Sequence, residues 1–170
     1  MNRRCRLRPT MSSDDTSEKT GTFLITAADE ESAVLKDVED GQVHTLASNP
    51  GVAVDEAVAG TVAPEPPLEV SWRLVEIDRQ WELSIEVSEL TPTAWAREVA
   101  ADQPVGELSR KERAGTGELH VMTVPEETTE QAVADVVDDR EGTLARAARL
   151  GAARVEIRSE PGVVVVRYVP

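Results

Sequence analysis

Cysteine is all but missing from this chain. The single Cys5 excludes a disulfide framework and a thiolate metal cluster. Histidine is nearly as scarce. His44 and His120 are the only two, they fall in different predicted modules, and neither sits in HxxxH, HExxH or Cys/His spacing. Each lies on a predicted strand and is read as a partly exposed strand histidine, so no metal site and no cofactor are expected. Only five aromatic residues occur: Phe23, Trp72, Trp81, Trp95 and Tyr168. No apolar run approaches the roughly 18 to 20 residues that a membrane-spanning helix needs, so a soluble protein without a membrane partner is expected. The sequence contains no GxSxG elbow, no GxxxxGK[ST] phosphate loop, no GxGxxG and no DxDxDG calcium loop. Catalysis therefore has no positive signature, although a triad assembled in space leaves no such trace.

What the chain has in abundance is acid. There are 32 Asp and Glu against 18 Lys and Arg, and the bases divide into 15 Arg and three Lys. The acids are spread throughout the chain instead of forming one tail. That pattern reads as a solvent adaptation, in which hydrated carboxylates hold a surface in solution while concentrated salt screens their repulsion within a few Å. The expected habitat is the cytoplasm of an extreme halophile. In molar salt the net charge of −14 argues only mildly against a nucleic-acid partner, because long-range repulsion is screened.

The first ten residues run against this acidity with Arg3, Arg4, Arg6 and Arg8. Arg8 is followed by the polar PTMSSDDTSEKTG, so neither a secretory nor a twin-arginine signal fits. A short basic nucleic-acid arm is one reading. Translation from Met11 is the favoured one; it removes Cys5 and moves the charge from −14 to −18. Residues 1–20 are read as a disordered leader.

From Gly21 the patterning is that of short strands. TFLITA (22–27), SAVLKDV (32–38), QVHTLA (42–47) and EAVAGTVA (56–63) are strands, with Asp40-Gly41 a hairpin turn and Gly60 a bend or bulge. In LEVSWRLVEI (68–77), Leu68, Val70, Trp72 and Leu74 share a face, and the phase slips at Leu74-Val75, the mark of a bulge. WELSIEV (81–87) alternates, with Trp81, Leu83, Ile85 and Val87 inward. Five or six such strands predict a small antiparallel β-barrel at 21–90.

A helical connector is expected over 91–116. Thr91-Pro92 opens a first helix that carries Trp95 and Val99 on one face and stops at Pro104. Ser109 and Glu112 form a capping box for a second, short helix. Residues 117–170 then read as a compact βααββ domain. Strand 118–124 is followed by a helix over 126–139 and another over 142–151, with Leu144, Ala147 and Ala148 facing in and Gly151 as its stop. Strands 153–159 and 163–169 close the domain, turned by Pro161-Gly162, and the second is apolar on both faces as a central strand should be. The fold class is α+β.

The stretches GTFLITAADEESAVLKDVEDGQVHTL, TVAPEPPLEVSWRLVEI, RKERAGTGELHVMTVPEE and LARAARLGAARVEIR together resemble a family of uncharacterised haloarchaeal proteins, a domain of unknown function, over residues 21–170. The resemblance implies no activity, cofactor or catalytic residue.

Two residue sets remain as candidate sites. The flexible run Arg113-Ala114-Gly115-Thr116-Gly117, with His120 beyond it, could turn backbone N–H groups toward an anion; its bland reading is a helix stop and linker. Arg146, Arg149, Arg154 and Arg158 cluster within thirteen residues as a nucleic-acid or partner contact, against the bland reading of arginines pairing with surface carboxylates. Trp72 and Trp81 fall on apolar faces and read as core, not as base-stacking platforms. The function expected is a non-catalytic binding or adaptor protein with an unknown protein or nucleic-acid partner; the alternative is a small enzyme with an anion-binding loop near 113–120.

Overall fold

A computed structural model describes residues 18–66 and 70–170; the basic decapeptide, most of the expected leader and Leu68 lie outside the described residues. Among the described residues, ten strands and three α-helices form two sheets and their covering layers. Strands β1 (Lys19–Ala28), β2 (Ala33–Asp37), β3 (Val43–Leu46), β4 (Glu56–Pro64) and β5 (Trp72–Glu82) close a barrel in the order β1-β2-β3-β5-β4. Its pairings are antiparallel except where β3 meets β5 in parallel at Leu46 and Trp72. Strand β6 (Ser84–Val87) leaves the barrel. It joins β7 (Leu108–Glu112), β8 (Glu118–Thr123), β9 (Arg154–Glu160) and β10 (Val163–Val169) in a second sheet of order β6-β9-β10-β8-β7.

Local chemistry accounts for these elements. In the β2–β3 hairpin, Gly41 takes φ 75°, and the Asp37 carboxylate accepts from the N–H groups of Glu39 and Asp40. Along β4 and β5 the register shifts twice, leaving Val75 and Asp78 as extra residues on β5. The first coincides with the phase slip in the apolar pattern, since an inserted residue reverses which side chains face inward. Gly60 packs so closely on the bulged strand that a Cβ there would overlap the Glu76 carbonyl oxygen.

Four expectations are corrected. The residues read as a second connector helix form β7, because Ser109 pairs with Val121 and Lys111 with Leu119. Sheet pairing overrides a capping box that has no apolar helical stripe behind it. WELSIEV is not one strand: it divides at the buried Leu83, so Trp81 belongs to the barrel and Ile85 to the second sheet. The cap of α1 (Ala94–Asp102) is Thr93, whose hydroxyl accepts from the Ala96 N–H, and not Thr91. Both histidines are buried, His44 fully and His120 to within 3%. The C-terminal elements are β8, α2 (Thr129–Asp138), α3 (Arg140–Arg149), β9 and β10, and β10 is central in a sheet that also takes in β6 and β7.

Three apolar clusters hold the layers together. Phe23, Ile25, Leu35, Leu46, Val58 and Val62 fill the barrel. A larger cluster lies where α2 and α3 cover one face of the second sheet, joining Leu144, Ala147, Val155, Ile157, Val166 and Tyr168 to Leu24 and Ala57 of the barrel wall. β1 thus buries Phe23 and Ile25 on one side and Leu24 on the other. The seam is fastened by the Trp81 Nε1–H donating to the Ala152 carbonyl (2.9 Å), by Arg140 with Asp55 (2.7 Å) and by Lys36 with Glu141 (2.7 Å). On the opposite face of the second sheet, α1 packs Ala96 and Ala100 on Val121 and Val165.

Candidate binding site on the second sheet

The alternation of β8, β9 and β10 sends neighbouring side chains to opposite faces of the sheet, and the polar residues follow. On the α2–α3 side, His120, Met122 and Tyr168 look into a pocket of about 290 Å³ whose wall and rim include Asp135, Asp139, Thr143 and Arg146. His120 Nε2 lies 2.6 Å from Glu118 Oε1. An ionised carboxylate only accepts, so Nε2 carries the proton and Nδ1 holds a lone pair. Among the described residues Nδ1 has no hydrogen-bond partner. Burial holds the His120 pKa below the ordinary 6.5, outweighing the hydrogen bond and charge of Glu118, while Arg146 and Arg110 push it further down. The ring is therefore a neutral acceptor at pH 7. Beside it, 5.0 Å between ring centroids, stands Tyr168, whose Oη accepts from Arg146 Nη1 at 3.2 Å.

The Gly-rich run is the hairpin turn between β7 and β8. Gly115 and Gly117 take φ of 94° and 111°, and a Cβ on Gly117 would overlap the Tyr168 carbonyl oxygen. The Arg113 N–H donates to the Gly117 carbonyl, and its guanidinium donates to the Thr116 carbonyl, both at 3.1 Å. The proposed anion set is thus divided: Arg113, Gly115, Thr116 and Gly117 build the turn, while His120 points into the pocket with Arg146.

The arginine set divides as well. Arg146 lines the pocket and Arg149 is exposed at the end of α3. Arg154 and Arg158 lie on the other face of the sheet, where they meet Arg167 around the buried Glu156. Arg158 Nε donates to Glu156 Oε1; Arg167 Nη1 stands 3.2 Å and Arg154 Nη2 3.8 Å from that carboxylate. Burial alone would raise the Glu156 pKa, but the three guanidinium groups outweigh it and hold the carboxyl below the ordinary 4.5. Cross-strand register sets Lys111, Leu119, Arg167, Glu156 and Glu86 in one row. Lys111 Nζ rests 4.4 Å from the Trp95 ring centroid. Sequence reasoning missed Glu118, Glu156, Arg167 and Tyr168. For Glu118 a signal existed: two positions before His120 on a strand, it shares that residue's face.

A family model matches residues 19–159, from the first residue of β1 to the penultimate residue of β9, and is described as a family of unknown function, DUF5812. The chain belongs to this family. No curated protein and no solved structure matches it. The family description names no activity, and β10, with Arg167 and Tyr168, lies beyond the matched residues. Among the described residues no group of three or more His, Cys, Asp or Glu side chains is placed to hold a metal ion. No helix among them is long and apolar enough to cross a membrane.

Proposed function

We propose that this protein is a non-catalytic binding or adaptor protein of a haloarchaeal cytoplasm, and that nucleic acid docks on the sheet face carrying Arg154, Arg158 and Arg167. The observation that carries this reading is the convergence of three guanidinium groups on the single carboxylate of Glu156. Against the carboxylates of Glu156 and the neighbouring Glu86 stand three guanidinium groups and Lys111, so positive charge is in local excess on a chain whose net charge is −14. Lys111 on its Trp95 platform extends the same face toward α1. The acidity of the remaining surface supports the halophilic setting.

The test is a tagged pull-down from halophile lysate in roughly molar KCl, with and without nuclease. The reading expects RNA or DNA in the eluate, lost with nuclease and lost in an Arg154→Glu/Arg167→Glu variant that still folds. Protein partners that survive nuclease but are lost in that variant replace nucleic acid with an acidic protein partner. An empty eluate, or one unchanged by the variant, refutes the docking face.

A further inference from the structure

The pocket on the other side of the sheet calls for a ligand of different size and chemistry. Arg97, Arg140, Arg154, Arg158 and Arg167 each stand within ion-pair distance of a carboxylate. Arg146, like Arg73, Arg79, Arg110, Arg113 and Arg149, forms no ion pair among the described residues; what sets it apart is its place in the pocket lining. It is held instead by Tyr168, and because the Tyr168 oxygen accepts from Arg146, its own O–H remains to donate. Arg146 and Tyr168 thus present two donors toward the same space. On the cross-strand neighbour of His120, Arg110 adds positive charge to this side.

The remaining polar groups have the opposite character. His120 offers a lone pair at Nδ1 from a ring that is 3% exposed, with its orientation locked by Glu118. Asp135 and Asp139 are acceptors at the rim, and they oppose a multiply charged anion. A pocket lined by both donors and acceptors matches a molecule carrying a carboxylate and an ammonium group together. The volume of about 290 Å³, at the lower limit of ligand pockets, restricts it to a small one.

We propose that the pocket between α2, α3 and strands β7, β8 and β10 is a binding site for a small zwitterionic amino acid, its carboxylate on Arg146 and Tyr168 and its ammonium on His120 Nδ1 with Asp135 and Asp139 at the rim. This site is separate from the arginine face, so each stands or falls without the other.

The experiment follows the His120 and Tyr168 ring resonances by NMR in molar KCl at pH 7.5. A panel of the common L-amino acids is titrated in turn, with acetate, ethylamine and inorganic phosphate as probes. At least one amino acid should shift both rings saturably, and acetate and ethylamine should bind at least about tenfold more weakly because each loses one set of charge-assisted hydrogen bonds. Arg146→Met should weaken the amino acid by at least about tenfold; Tyr168→Phe, which keeps the buried ring, should weaken it by about threefold to tenfold. No saturable shift with any amino acid overturns the proposal. So does tighter binding of phosphate or ethylamine, or unchanged affinity in Tyr168→Phe.

Discussion

His44 lies wholly inside the barrel, its ring edge-on to Trp72 at 4.3 Å and to Phe23 at 5.8 Å between centroids. Among the described residues neither Nδ1 nor Nε2 has a hydrogen-bond partner. In the unfolded chain both nitrogens bond to water, so folding strips them without replacement, at a cost of about 1–3 kcal/mol per group. His44→Leu removes both polar atoms at similar volume. Against this stand a repacking cost below about 1.5 kcal/mol and the loss of two aromatic edge contacts of about 0.5–1.5 kcal/mol each. The expected balance is a gain of about 1 kcal/mol, raising Tm by about 2–4 °C; His44→Phe, which keeps the aromatic contacts, should gain more if the ring fits. A second observable separates desolvation from packing. Burial holds the His44 pKa below 6.5, with Lys19 adding to the lowering and Asp37 and Asp40 opposing it. The unfolded chain therefore binds protons that the folded one refuses, and wild-type stability should fall as pH drops below about 6.5. Both variants should flatten part of that fall, with His120 supplying the remainder. Urea unfolding in molar KCl between pH 8 and pH 5 measures both effects. If both variants lose more than about 1 kcal/mol at pH 7.5 and keep the wild-type pH slope, the reasoning is refuted.

Gly60→Ala drives a methyl group into the Glu76 carbonyl at the β5 bulge, where backbone and not a pliable side chain must yield. A loss of about 3 kcal/mol is expected, read as a lower urea midpoint; a loss below about 1 kcal/mol would show that the bulge slides freely. Glu156→Gln leaves Arg158 and Arg167 largely enclosed, their side chains 15% and 23% exposed, without their counter-charge. The usual penalty for breaking a buried pair, discounted for this exposure, gives about 2 kcal/mol at pH 7. Because the Glu156 pKa is depressed in the fold, its contribution is present above about 4.5 and lost as pH falls through the folded value, so wild type and variant should converge in acid. Divergence there would contradict the assignment.

Alternation, turn chemistry and helical spacing are properties of neighbouring residues, and they make much of this molecule legible in its sequence. The strands of β1 to β4, the bulge at Val75, the inward Leu144, Ala147 and Ala148, and the stop at Gly151 all follow from side chains within a few positions of one another. Where the reading failed, a distant partner decided. Ser109–Glu112 carries both a cap signature and strand alternation, and only the edge of β8 selects the strand. WELSIEV is continuous in pattern, but its two ends find different sheets.

The sites show the same division more sharply. Composition alone established a chain rich in acid and poor in cysteine and histidine, and it bounded the chemistry accordingly. It could not say that Arg146 would meet His120 and Tyr168 across a pocket, or that Arg154, Arg158 and Arg167 would share one glutamate on the reverse of the same sheet. Those meetings depend on which strands lie side by side and on which face each side chain emerges, and both are set by the register of residues far apart in the chain.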